Sequence, residues 1–229
     1  MTITEEEHQA ALDLQEMLET QEAAEAVPGI IHVMTQHSRS PKVQEYACAA
    51  LWNLAYEEDD YHHLIVEAGG IDSIISAMKT HRKIAVVQEY GCGALRNLAA
   101  QSEEYRRLIA EKGAIPIVIE GMSVHLDEAD VQQSGCILLW KLGMDSPENK
   151  TEIAEHLGIH AVIRAMQVHP DESEVQQAAC SCLWTLADKH QQNQISISSA
   201  GGIAAIIRGL RSHQDEPDMQ AAGLEALWK

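Results

Sequence analysis

Val43-Gln-Glu-Tyr-Ala-Cys-Ala-Ala-Leu-Trp-Asn-Leu-Ala55 returns 44 residues later as Val87-Gln-Glu-Tyr-Gly-Cys-Gly-Ala-Leu-Arg-Asn-Leu-Ala99. It returns again as Val131-Gln-Gln-Ser-Gly-Cys-Ile-Leu-Leu-Trp-Lys-Leu-Gly143 and as Val175-Gln-Gln-Ala-Ala-Cys-Ser-Cys-Leu-Trp-Thr-Leu-Ala187. A shorter copy, Met219-Gln-Ala-Ala-Gly-Leu-Glu-Ala-Leu-Trp-Lys229, closes the series. No gap is needed anywhere. A fixed period of this size marks one supersecondary unit stacked on copies of itself. Such arrays present extended surfaces, so binding is expected before chemistry.

Between these phrases lie two shorter ones. Tyr61-His-His-Leu-Ile-Val-Glu-Ala68 reads as a short helix, broken by Gly69-Gly70, because glycine tolerates the left-handed conformation that ends a helix. Ile71, Ile74, Ile75 and Met78 then recur at i, i+3, i+4 and i+7, the spacing of an apolar helical stripe. The same phrase recurs over 115–122, 159–166 and 203–210. A polar loop follows, and a longer helix starts near Val87 with Val87, Ala94, Leu95 and Leu98 on one stripe.

Composition agrees. The 229 residues are 45% hydrophobic, contain no Phe and are only 4% aromatic, so the core is built from Leu, Ile, Val and Ala. Ala- and Leu-rich segments without Val/Thr runs favour helix. Sixteen basic residues against 35 acidic ones give a net charge of −19. That sign repels nucleic acid and anionic lipid and is compatible with a basic partner. There is no apolar run of about 18 residues to span a membrane, and the acidic N-terminus carries no signal-peptide core. Cytosol or nucleus is the expected compartment. Asn149-Lys-Thr151 matches a glycosylation triplet, which is read as chance in an intracellular chain.

Two short helices and a longer third in 44 residues resemble the armadillo repeat. Ala50-Leu-Trp-Asn-Leu-Ala55 and Ala94-Leu-Arg-Asn-Leu-Ala99 are similar to that family's third-helix phrase, and Ala68-Gly-Gly-Ile71 and Lys112-Gly-Ala-Ile115 to its turn into the second helix. The resemblance implies an all-α, right-handed α-solenoid with three helices per repeat over residues 17–229, about five repeats with the last incomplete. Residues 1–16 fall outside the register. Thr4 with Glu7 has the pattern of a capping box, and an N-terminal helix there is expected to cover the open end. Lys229 aligns with Asn53, inside a third helix. The expectation is a longer array, or a last face that docks on something.

Several residue types form ladders at single repeat positions. Cys48, Cys92, Cys136 and Cys180 are read as buried, unbridged small hydrophobes, since stacked repeats stand too far apart for a disulfide. His37, His81, His125, His169 and His213 follow the second helices. They are expected to bond the last carbonyls of those helices. His62-His63 is read as an exposed pair without a third metal ligand. Acid clusters such as Asp127-Glu128 with Asp130 open later third helices, where carboxylates suit the helix dipole.

Trp52, Trp140, Trp184 and Trp228 share one position, with Arg96 in the second repeat. Leu51 and Leu54 hold the core stripe, so this position turns away from it. Two readings stay open: Trp packed flat over the seam between repeats, or a row of anchors for a partner, Trp and Arg being the commonest hot-spot residues. In armadillo proteins this stretch lines the concave groove. The resemblance also implies that Asn53 and Asn97 clamp the backbone of an extended peptide, a role lost at Lys141, Thr185 and Lys229. The groove Trp of nuclear-import members would align with Ala49, Gly93, Ile137 and Ser181, none of which is Trp.

No phosphate-cradling loop, HExxH, CxxC or nucleophile elbow is present. The expected function is therefore non-enzymatic, without a cofactor or metal. The chain is read as a scaffold that binds an extended peptide or protein through Trp52, Asn53, Arg96, Asn97, Trp140 and Trp184, flanked by Tyr46, Tyr56 and Tyr90. Rival readings are a regulator of a small GTPase and a structural armadillo module of a longer polypeptide.

Overall fold

The structure, a computed structural model, describes residues 9–12, 14, 23–57 and 59–229. The capping box at Thr4 and Glu7 and most of the N-terminal helix lie outside these residues. Within that stretch, 9–12 and 14 are helical, with Ala10 and Leu14 buried. Among the described residues the regular structure is all helix. The chain forms two compact units that divide between Ala114 and Ile115.

The first unit contains α1 (Ala23–Gln36), α2 (Pro41–Glu57), α3 (Asp59–Glu67), α4 (Gly70–Thr80), α5 (Ala85–Gln101) and α6 (Glu103–Glu111). The second holds α7 (Ala114–Val124), whose first residue lies at the division, α8 (Ala129–Gly143) and α9 (Pro147–Glu155). It continues with α10 (Gly158–Val168), α11 (Ser173–Ala187), α12 (Gln191–Ser199), α13 (Gly202–Ser212) and α14 (Pro217–Trp228). Third helices begin at Pro41, Ala85, Ala129, Ser173 and Pro217, so the 44-residue period of the sequence is the period of the helices.

The apolar stripes do what their spacing predicts. Ile71, Ile74, Ile75 and Met78 are buried on α4, as are Val87, Leu95 and Leu98 on α5. Third helices are buried on more than one side because they pack both on their own second helix and on the next third helix: α2 on α5 in the first unit, and α8 on α11 and α11 on α14 in the second. Small residues permit the approach. A Cβ on Gly135 would sit 2.6 Å from Met122 Cγ.

The second helices α4, α7, α10 and α13 are each entered through one left-handed residue: Gly69, Gly113, Leu157 and Gly201, with φ of 82°, 78°, 64° and 83°. Leucine is strained there, and its side chain gains little, being 62% exposed. Leu157→Gly is expected to stabilise the fold by about 1 kcal/mol, read as an upward shift in urea midpoint. No gain would mean that the Leu157 side chain contributes packing that offsets its strain.

The third helices of the second unit end early. In α8 and α11 they run 15 residues instead of the 17 of α2 and α5. Asp145 and Lys189 then take positive φ, 52° and 54°, before Ser146 and His190 cap the following helices. The Asn149 side chain is folded inward, with its Nδ2 donating to the Leu142 carbonyl at 2.7 Å. It is no glycan acceptor in this state.

The cysteine ladder is buried and unbridged, and Cys182 joins it. Two expectations need correction. His62 is buried, and only His63 is exposed, beside Glu67 at 3.3 Å. Three histidines of the ladder bond the preceding repeat rather than their own helix ends. Nε2–H of His81 donates to the Ser38 carbonyl at 2.8 Å, that of His169 to Leu126 at 2.7 Å, and that of His213 to Pro170 at 2.8 Å. Each reaches 43 residues back, into the loop of the preceding repeat. The helix ends are capped instead by the glutamine that follows each repeat-opening Val or Met. Gln88 Nε2 donates to the carbonyls of Met78 at 3.0 Å and His81 at 3.1 Å. Gln44, Gln132, Gln176 and Gln220 repeat the arrangement.

Candidate functional site: the tryptophan positions of the third helices

In the first unit, Trp52 lies half-buried on α2 and leans on α5. The Tyr90 ring stands 5.5 Å from it, tilted by 30°. Gly93 passes beneath, and a Cβ there would come within 3.1 Å of the indole. The Arg96 guanidinium lies 5.9 Å from the Trp52 ring. Burial lowers the pKa of that guanidinium, but arginine remains charged at any physiological pH. Asn97 Nδ2 donates to the Trp52 carbonyl at 3.3 Å, so this amide links two repeats. The Asn53 side chain is exposed. Tyr56 is 80% exposed, and Tyr46 lies under the Lys42 ammonium at 4.6 Å. Trp52, Tyr90, Arg96 and Asn97 thus form one cluster, with Tyr46 and Tyr56 placed elsewhere on α2.

In the second unit, Trp140 on α8 and Trp184 on α11 are also half-buried. Lys141 Nζ stands 4.2 Å from the Trp140 ring, and Lys229 Nζ stands 5.5 Å from the Trp184 ring. The Trp140 indole nitrogen is buried without a hydrogen-bond partner. Thr185, at the clamp position, is itself buried. Trp228 is 88% exposed at the end of α14.

Below Trp184 the shortened end of α11 gathers charges that sequence reading did not connect. Lys150 is buried on α9, and its ammonium donates to the Asp188 main-chain carbonyl at 2.7 Å. Lys229 pairs with the Asp188 carboxylate at 2.6 Å. That hydrogen bond, with Lys150 and Lys189 nearby, holds the Asp188 carboxyl below its ordinary range. Burial lowers the Lys150 ammonium, against the pull of Asp188 and Asp145. At the Lys150 repeat position stand His62, Arg106 and Gln194, so no shared residue type marked it. Lys229 was traceable, since it occupies the same position as Lys141.

Two clefts open on the second-helix side instead. One, of about 270 Å³, is lined by Met34, Ser38, Gln44, Asp72 and Ser73. The other, of about 310 Å³, is lined by Gln176, Arg208, Gly209 and Arg211. Neither includes a tryptophan.

A family model described as the LRRK2 ARM repeat matches residues 3–149 and, in an overlapping match, residues 71–229. The chain is an armadillo-repeat protein. Solved structures share the architecture. An engineered protein is 22% identical over 100% of this chain and 93% of its own, with a TM-score of 0.81. A computationally designed armadillo protein for modular peptide recognition is 18% identical over 98% and 94%, with a TM-score of 0.79. A designed armadillo protein in complex with the peptide (KR)4 is 17% identical over 97% and 92%, with a TM-score of 0.76. At these identities the likeness is one of fold. No curated protein matches the sequence. Among the described residues, no helix of this armadillo protein is long and apolar enough to cross a membrane.

Proposed function

We propose that this armadillo protein is a non-enzymatic interaction scaffold that holds an extended peptide segment against its third helices. The observation that carries the reading is the state of Trp140 and Trp184. A large aromatic at a repeated position stays half-exposed, next to helices whose other faces are buried. Aromatic rings with one open face supply most of the energy in peptide and protein interfaces. Each repeat advances by about 10 Å and therefore meets about three residues of an extended ligand. Cytosol or nucleus is the proposed compartment.

Selection from a random peptide library tests this. Trp184→Ala is expected to weaken the selected peptides by about 30-fold, the equivalent of a hot spot of about 2 kcal/mol. Its urea midpoint should change far less than that of Trp52→Ala, because Trp52 carries Tyr90 and Gly93 against it. Unchanged affinity in Trp184→Ala, or a loss explained by unfolding, would sink the reading.

A second reading is a structural armadillo module whose last third-helix face packs on another polypeptide segment. Exposure of Leu224, Leu227 and Trp228 along α14 favours it. The amides of α14 are then expected to exchange much faster than those around Leu95. Equal protection would count against an unpartnered face.

A further inference from the structure

We propose that the charged turns of this chain dock a second copy of it, the basic turns of the first unit pairing with the acidic turns of the second unit of another molecule. Peptide binding at the tryptophans is not required for this. A short charged turn leads into every third helix. These turns read Ser38-Arg39-Ser40, Arg82-Lys83-Ile84, Leu126-Asp127-Glu128, Pro170-Asp171-Glu172 and Gln214-Asp215-Glu216. The middle position is therefore Arg, Lys, Asp, Asp and Asp along the chain. Arg39 and Lys83 belong to the first unit and the three aspartates to the second. All five residues are exposed, and none forms an ion pair among the described residues.

The fold does not choose this sign. The position follows the end of one helix and stands one residue before the N-cap of the next, which is Ile84, Glu128, Glu172 or Glu216 in the last four turns. A cation suits the helix end behind it and an anion the helix start ahead of it. The dipoles therefore account as well for Arg39 as for Asp171, and leave the choice between them open. Asp130, Glu174 and Asp218, inside the first turns, are accounted for by the dipole. Lys42 already pairs with Glu45 at 2.8 Å.

A common period makes these charges into two matching rows. The histidine bonds tie neighbouring turns together: His81 to the Ser38 carbonyl in the first unit, His169 to Leu126 and His213 to Pro170 in the second. Within a unit, each turn is thus held one repeat spacing from the next, about 10 Å. Positive charges stand at that spacing on one row and negative charges at the same spacing on the other, so the two rows can meet in register. An unrelated charged partner has no reason to share the spacing, whereas a second copy has it by construction. Each molecule carries −19, which repels at long range, but charges beyond about 8 Å are screened at about 0.15 M salt. Exposed ion pairs are individually weak, so the association is modest and reversible.

Sedimentation equilibrium of the full chain over a range of concentrations at about 0.15 M salt tests this. A reversible self-association is expected, weakened at least about tenfold when the salt is raised to about 0.5 M. Arg39→Glu with Lys83→Glu should weaken it at least about tenfold, and so should Asp171→Lys with Asp215→Lys. The second pair lowers the net negative charge, so general repulsion alone predicts tighter association where row pairing predicts loss. Mixing the two variants in equal amounts should restore a complex that neither forms alone, because each then meets the opposite sign. Should a reversal unfold the chain by circular dichroism, Arg39→Gln with Lys83→Gln and Asp171→Asn with Asp215→Asn replace the reversals, and each neutral pair should lose the association. A chain monomeric at every concentration would overturn the proposal. So would an association that ignores both sets of changes, or one that resists salt, as docking through Leu224, Leu227 and Trp228 would. Folded charge reversals that fail to complement each other would overturn it as well. Trp184→Ala should leave the association unchanged, so the loss of peptide binding and the loss of self-association report separately.

Discussion

Raising the pH from 8 to 10 is expected to destabilise this protein by on the order of 5 kcal/mol, through thiols that never meet solvent in the native state. Burial pushes Cys48, Cys92 and Cys180 up to about 12 from an ordinary value of 9.0, and raises Cys182 as well. In the unfolded chain the same thiols release their protons near pH 9. Above that pH the unfolded state holds fewer protons than the folded one, so stability falls as pH rises. The contribution is fully present below pH 9 and is lost progressively toward pH 12. At pH 10 each thiol costs about 1.4 kcal/mol relative to pH 8. Four such groups together rival the whole stability of an ordinary domain. Urea titrations under reducing conditions at the two pH values check the sum. Cys92→Ala isolates one share: its loss between pH 8 and 10 should be about 1.4 kcal/mol smaller than that of the parent. An unfolding free energy equal at both pH values would show that the thiols are reached by water.

The period that carries this burial was plain in the chain. Val43 to Met219 at equal spacing, the Ile71-Ile74-Ile75-Met78 stripe and the glycine turns are properties of single repeats, and a single repeat can be read from its own hydrophobic pattern. What was illegible crosses from one repeat to the next. His81 was assigned to its own helix end because that carbonyl is near in sequence, whereas its ring reaches Ser38. Asn97 reads as an open clamp until its amide is seen on the Trp52 carbonyl. Lys150 has no repeat partner of its kind, and its place beside Asp188 depends on α11 stopping two residues early. At the tryptophan position, sequence supplied the row of rings and left the choice between seam and anchor open. The structure places Trp52 against Gly93 and leaves Trp140 and Trp184 half-exposed. The cations over their faces come from the next residue, or from 45 residues on, and neither offset announces itself as a contact.

The largest single-residue effect is expected at a glutamine that marked the register in sequence and carries the helix ends in space. Gln132 is fully buried, and its Nε2 donates to the carbonyls of Met122 at 2.9 Å and His125 at 2.8 Å. The Met122 oxygen lies in the last turn of α7, whose final carbonyls have no intrahelical partner, whereas the His125 oxygen in the loop also accepts from the Glu128 backbone N–H at 3.1 Å. One side chain therefore bonds two carbonyls and ties the second helix to the third. Gln132→Leu keeps the volume and removes both donors. The Met122 carbonyl left without a partner costs about 1–3 kcal/mol, while His125 keeps its backbone donor, so the loss should be about 2 kcal/mol. Gln132→Glu should be worse at neutral pH, because the new carboxylate faces two carbonyl oxygens at the negative end of a helix. Its carboxyl is then held protonated to higher pH than in the unfolded chain. The added penalty should disappear as pH falls below about 4.3, the ordinary glutamate value, where both states are protonated. Gln220→Leu supplies the comparison: the same two bonds, to Leu210 and His213, lie in a part-buried setting where water replaces the lost donor. It should cost less than half as much. Urea denaturation of the three variants separates the cases. A loss of under about 1 kcal/mol in Gln132→Leu would show that the ladder marks the repeats without holding them together.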